Sequence, residues 1–280
     1  MYLLFDIGGS KTRLALSADL KEMSEPEIFS TPDTPEQIAP FIEDFLAEQT
    51  SGESLRGGFG GVTGVWDKER RELVHSPNMT GWVGRPVRDI LSRAIGAEVE
   101  PANDADIVGL GEAVYGAGRD STICVYITVS TGVGGARLKD QQIDSYTVGF
   151  EPGHQVIDYS RCLEDRYEST LEGRVSGTAV AQRFNMPPYE ITEEQVWEEL
   201  AEETAVGVYN CIIHWSPDTL VLGGSMIVGD PAIAVDRIEH YVKDLADFLP
   251  EIPEFRRAEL GSIGGLYGAM AYAANQTSTE

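Results

Sequence analysis

Lysine is scarce in this 280-residue chain, limited to Lys11, Lys21, Lys68, Lys139 and Lys243. Lys and Arg together number 21 against 46 Asp and Glu, a formal net charge of −25. Such a surface repels nucleic acid and anionic membranes, and no basic patch relieves it. It also repels a bare nucleotide, so a nucleotide user needs local N–H dipoles and a divalent cation. Cysteine is sparse too: Cys124, Cys162 and Cys211 are odd in number, scattered, and form no CxxC. That argues against a disulfide framework and fits a reducing compartment. No apolar run is long enough to span a bilayer, and the first residues lack the basic region of a signal peptide. The expectation is a soluble cytoplasmic protein. Low-complexity tracts, the Walker A spacing and the G-x-G-x-x-G dinucleotide fingerprint leading into a helix are also absent.

What is present begins with a hydrophobic content of 42%, enough for a large core in one domain or two. The most informative stretch runs from Val99 to Leu138. Asn103-Asp104 ends a short apolar run, and Ala105 to Tyr115 reads as a small-residue helix. Cys124–Val129 (CVYITV) reads as a buried strand entering Ser130-Thr131-Gly132-Val133-Gly134-Gly135. An acid at a strand end is placed for proton transfer. A strand running into a glycine turn exposes N–H groups that hold phosphate oxygens. A base and a phosphate cradle in one span point to phosphoryl transfer onto a hydroxyl. Taken singly, Asn-Asp is also a common N-cap pair, and glycines after a strand are often only a tight turn.

The same design occurs near residue 8. Tyr2–Asp6 (YLLFD) reads as a strand ending in an acid, Ile7 to Thr12 (IGGSKT) as a turn, and Arg13–Ser17 (RLALS) as a returning strand. Gly8 and Gly9 let a phosphate approach the backbone, and Asp6 is placed to orient waters around a magnesium ion. Two such hairpins suggest a duplicated α/β body of the actin-like ATPase (ribonuclease H-like) fold, with two domains around an interdomain cleft. The expected domains are residues 1–109 plus 267–280, and residues 110–266.

Helical spacing marks 34–49, with Ile38, Phe41, Ile42, Phe45 and Leu46 as core, and Val87–Ile95, stopped by Gly96. Further helices are expected over 193–215, 235–248 and 260–274. Gly57–Val62 reads as a glycine-rich strand with a flexible end that continues into Val65-Trp66-Asp67. Residues 218–226 read as another strand, and the tail 276–280 as disordered. Glu151 and His154 bracket a Pro-Gly turn, close enough to bond one polyol, although a lone histidine is more often a surface or core residue.

With these pieces in place, the chain resembles sugar kinases of the ROK family over nearly its whole length. The resemblance rests on Asp6-Ile-Gly-Gly-Ser-Lys11, on Pro77-Asn78-Met79 with Trp82, and on Asn103-Asp104-Ala105 followed by Leu110-Gly111-Glu112-Ala113. It continues through Thr131-Gly132-Val133-Gly134-Gly135, Glu151-Pro-Gly-His154, Leu171-Glu172, Leu222-Gly223-Gly224 and Gly264-Gly265. It implies a kinase using ATP and Mg²⁺ on a hexose, with Asp104 as general base. By the same resemblance Gly61, Asn103, Glu151, His154 and Glu172 contact the sugar. Asp6, Gly8, Gly9, Ser10, Lys11 and Thr12, with Thr131-Gly132, surround the phosphates, and Gly223-Gly224 lie against the adenosine. A homodimer is implied too.

The chain departs from the family where a zinc site joins a histidine to three clustered cysteines; only Cys162 lies near, so no zinc is expected. Gly60 replaces the usual proline of the sugar loop. The leading expectation is phosphorylation of the 6-hydroxyl of glucose. The alternatives are an N-acetylhexosamine or fructose kinase, and a sugar-sensing regulator without catalysis. Acidic charge and a start at the first strand, with no helix-turn-helix before it, count against DNA binding.

Overall fold

The computed structural model describes residues 1–50, 52–147 and 149–277. The first elements are β1 (Tyr2–Ile7), β2 (Lys11–Ser17), β3 (Glu27–Ser30), α1 (Ala39–Gln49), β4 (Gly57–Val62), β5 (Val65–Trp66), β6 (Leu73–His75), α2 (Val87–Ile95), β7 (Val99–Asn103) and α3 (Asp104–Val114). Then come β8 (Ile123–Val129), β9 (Val133–Lys139), β10 (Gln142–Ile143), α4 (Leu171–Val175), α5 (Gly177–Phe184) and α6 (Glu194–Trp215). Last are β11 (Thr219–Gly223), α7 (Ser225–Val228), α8 (Val235–Leu245), β12 (Glu254–Arg257) and α9 (Gly264–Thr277). Two units form. One comprises Met1–Tyr115, Ser145–Gly149 and Leu260–Glu280; the other comprises Gly116–Asp144 and Phe150–Glu259.

Each unit carries a five-stranded sheet, ordered β3-β2-β1-β4-β7 in the first and β10-β9-β8-β11-β12 in the second. In both, an antiparallel hairpin extends to an antiparallel edge strand; its first strand pairs in parallel with a third strand, which pairs in parallel with the last. The duplication suggested by the two glycine hairpins therefore runs through both sheets. With the solved structures described below, this is the actin-like α/β fold.

Strand periodicity distributes β1 between two layers. Leu3, Phe5 and Ile7 join a core with Ile42 and Phe45 of α1 and Val87, Leu91 and Ile95 of α2. Asp6 faces the opposite way, toward α9, where a Cβ on Gly265 would lie 2.5 Å from its carboxyl carbon. Helices α3 and α9 pack at backbone contact: a Cβ on Gly268 would stand 1.7 Å from the Ile107 carbonyl oxygen. Only glycine fits there, which explains the small-residue composition of both helices. In the second unit Val125, Ile127 and Val129 of β8 and Leu222 of β11 pack with Leu200, Ala205, Val208 and Ile212 of α6.

Several expected elements change in the structure. Residues 35–38 form a 3₁₀ turn ahead of α1. Phe41 is 46% exposed and stacks on Phe29 at 4.8 Å, so it belongs to a surface ring pair and not to the core. Strand β4 is buried along its length, with no loose end. At Gly64 (φ 135°) the chain turns out of the sheet, so β5 does not continue β4 but pairs with β6. The strand expected over 218–226 ends at Gly223 and passes into α7, and α8 stops at Leu245. Helix α9 starts at Gly264 and holds Gln276 and Thr277 of the supposed tail, whose residues 278–280 lie outside the described residues. Gly96, at φ 66°, caps α2 as expected.

Candidate active site

The C-terminal ends of β1, β4 and β7 lie side by side, with Ile7 paired to Val62 and Val62 to Asn103. Open α/β sheets bind ligands at this edge. Three connections emerge there: the turn after β1, the loop Thr63-Gly64 after β4, and the first turn of α3 after β7.

Asn103, not Asp104, is the N-cap of α3. Its Oδ1 accepts from the N–H groups of Ala105 and Asp106, at 2.8 and 3.3 Å, and its Nδ2 donates to the Gly64 carbonyl at 3.1 Å. Asp104 is the first helical residue, half-buried, and accepts from the Thr63 hydroxyl at 2.7 Å. Burial pushes its pKa up, against the opposing pull of that hydroxyl and of backbone N–H groups. Gly61 lies inside β4, where an added Cβ would come 3.0 Å from Asp104 Cα. The loop that bonds Asp104 is Thr63-Gly64, two residues beyond Gly61.

Asp6 is 9% exposed, and its carboxylate accepts from Arg13 at 3.0 Å. Burial raises its pKa to about 6, with Asp104 adding to the rise and Arg13 opposing it. The register that sets Asp6 opposite Arg13 follows from the hairpin itself. In the turn, Gly9 and Ser10 are exposed, as is Lys11. Its carbonyls are tied down: Gly8 accepts from the Thr31 hydroxyl at 2.6 Å and Ser10 from the Thr31 N–H at 3.1 Å. Thr12 is buried and bonded to the Thr31 hydroxyl, so its side chain faces the protein. A cavity of about 270 Å³ opens nearby, lined by Pro32, Asp33, Thr34 and residues 78–82.

The second unit gathers its own set. The Ser130 and Thr131 carbonyls accept from Gly177 N–H (2.7 Å) and the Thr178 hydroxyl (2.8 Å). Glu172 Oε2 accepts from the Val133 N–H at 2.8 Å, beside Gly132. The Glu151–His154 turn packs on the start of β9: a Cβ on Gly153 would lie 2.3 Å from the Val133 carbonyl oxygen. His154 is exposed and Glu151 half-buried. Gly224, at φ 86°, passes 2.3 Å from the Val129 carbonyl measured to a built Cβ, which puts Gly223-Gly224 beside the end of β8. The structure thus joins Thr131, Gly132, Glu151, His154, Glu172, Gly223 and Gly224 within one unit, and Asp6, Gly8 to Thr12, Gly61, Asn103 and Asp104 within the other. Arg13, Thr31, Thr63 and Gly64 were missed; only Arg13, a charge opposite Asp6 in the hairpin, left a trace in the sequence.

Among the described residues no group of three or more His, Cys, Asp or Glu is arranged to hold a metal ion. Cys124 and Cys211 are buried, and burial pushes the Cys211 thiol up to about 12. No described helix is long and apolar enough to cross a membrane.

The sequence matches the ROK family over residues 2–276. The chain belongs to that family. Among solved ROK structures, a hexokinase from Thermus thermophilus is 24% identical, with a TM-score of 0.83 over 100% of this chain and 99% of its own. A glucokinase from Streptomyces griseus, crystallised with glucose and AMPPNP, is 22% identical, with a TM-score of 0.78 over 98% and 99%. An N-acetyl-D-glucosamine kinase of Escherichia coli is 26% identical over 96% of this chain and 98% of that protein.

Proposed function

We propose that this ROK protein is an ATP-dependent sugar kinase, with glucose phosphorylated at its 6-hydroxyl as the finer reading. The observation that carries it is the division of labour at the start of α3. Asn103 does the capping, which frees the Asp104 carboxylate to act as a base at a sheet edge beside a glycine turn. A carboxylate needs only hydrogen-bond reach to take a proton from an alcohol as the phosphoryl group arrives. The N–H groups of Gly9 and Ser10 would hold phosphate oxygens, with Thr131 and Gly132 as their counterparts in the duplicated hairpin. Glu151, His154 and Glu172 would bond sugar hydroxyls, which are good donors to carboxylates.

The donor set also fits Mg²⁺. Asp6 offers a hard carboxylate at the end of β1, and the Asp104 carboxylate adds a second negative charge close enough to act on it, which a cation would offset. Asp6 would hold the ion through water, since Arg13 already occupies Oδ2. Bound there, Mg²⁺ would neutralise charge on the transferred phosphoryl group.

A coupled ADP-release assay over a panel of hexoses, N-acetylhexosamines and fructose tests the reading. Turnover should be fastest on glucose, and Asp104→Asn should lower kcat by about 10²–10⁴ with its melting temperature kept. Near-native turnover of D104N would remove the base. Faster turnover on an acetylated sugar or fructose would reassign the substrate.

A further inference from the structure

We propose that Thr63 is a positioning residue for Asp104, holding one carboxylate oxygen so that the other faces the substrate hydroxyl; this rests on the kinase reading above. Thr63 Oγ1 donates to Asp104 Oδ2 at 2.7 Å. The loop that carries it is fixed on several sides. Its N–H donates to the Ile7 carbonyl at 3.0 Å, its carbonyl accepts from the Ser76 hydroxyl at 3.1 Å, and the Gly64 carbonyl accepts from Asn103 Nδ2 at 3.1 Å. Thr63 Oγ1 also lies 4.0 Å from where a Cβ on Gly8 would stand, so the hydroxyl sits between the base and the glycine turn. Threonine is stiff at χ1, which suits a fixed donor. An ionised carboxylate only accepts, so the bond favours the form that can take a proton.

The charged and titratable groups around Asp104 are few. Strand β1 brings Asp6, bound by Arg13 of β2, and β7 brings Glu100, bound by Arg88. Asp106, on the same helix, accepts from Tyr146. Strand β4 carries no ionisable side chain, and α9 contributes only the phenols Tyr267 and Tyr272.

The test compares Thr63→Val, which keeps the shape and removes the hydroxyl, with Thr63→Ser, which keeps the hydroxyl, both in the full chain. T63V should lose about ten- to a hundredfold in kcat with KM for ATP changed less than about twofold, and T63S should stay within about threefold of wild type. The acid limb of the T63V kcat profile should move up by about one pH unit. Wild-type kcat and acid limb in T63V, or equal damage in T63S, would overturn the assignment. If T63V is unfolded by circular dichroism, T63A carries the same comparison. A wild type inactive on every sugar overturns the kinase reading instead. The assignment is then decided by ¹³C titration of the Asp104 carboxyl, located with D104N. A pKa about one unit higher in T63V supports it, and an unchanged value overturns it.

Discussion

Replacing Asp6 with Asn should stabilise the first unit at neutral pH. The Asp6 carboxyl titrates at about 6 in place of 3.8, chiefly because it is buried beneath α9. At 1.36 kcal/mol per unit, that is about 3 kcal/mol spent on keeping it ionised at pH 7. The sign follows from proton uptake. Below about pH 4 both folded and unfolded chains hold the proton, and the group costs nothing. Between about 4 and 6 the folded chain keeps the proton longer than the unfolded one, so stability falls as pH rises, and the full cost stands above that window. Asn removes the charge and still accepts from Arg13, whose lost attraction returns part of the gain, leaving about 1–2 kcal/mol. Thermal melts of wild type and D6N from pH 4 to 8 check this. The two should coincide near pH 4 and separate by about 3–6 °C at pH 7–8, with D6N higher. A less stable D6N at pH 7, or a gap that ignores pH, would refute the reasoning. Phosphoryl transfer by D6N should be lost, since stability gained at such a site is usually taken from function.

Other perturbations have equally definite outcomes. Gly268→Ala puts a methyl 1.7 Å from the Ile107 carbonyl oxygen and should cost more than about 4 kcal/mol, seen as loss of a cooperative melt of the first unit. Trp82→Ala removes a side chain that is 1% exposed and donates to the Pro32 carbonyl at 2.9 Å; urea titration should show a loss of about 3–5 kcal/mol. Glu172→Gln keeps the shape beside Gly132 but removes the charge; the sugar KM should rise about tenfold with little change in melting temperature. An unchanged KM would leave that carboxylate serving the Val133 N–H alone.

Legibility along the chain followed burial. Strands β1, β8 and β11 are almost wholly buried, so their apolar runs announced them, and glycines marked the turns that follow. Strands β3 and β12 were missed because they are edges. Glu27–Ser30 and Glu254–Arg257 are polar, bury at most one side, and carry none of the alternation that signals a strand. At the site, Asp104 and the two glycine turns stood out as local patterns. Thr63 did not: its bond to Asp104 spans 41 residues and exists only because β4 and β7 pair in one register. Thr12 shows the converse. It lies in the turn motif, yet strand alternation points it into the core.

The helix that roofs the first sheet is made after every other described element. β1, β4 and α3 are synthesised long before Gly264, yet α9 packs on all three. At about 5–20 residues per second, roughly ten to thirty seconds separate α3 from its partner. Through that interval α3 packs on β4 and β7 without α9, and the groove that Gly268 will fill along Ile107 stands open. The first unit is therefore completed only after the second has been made. A message cut short before Gly264 would leave β1, β4 and α3 without the helix that packs on all three.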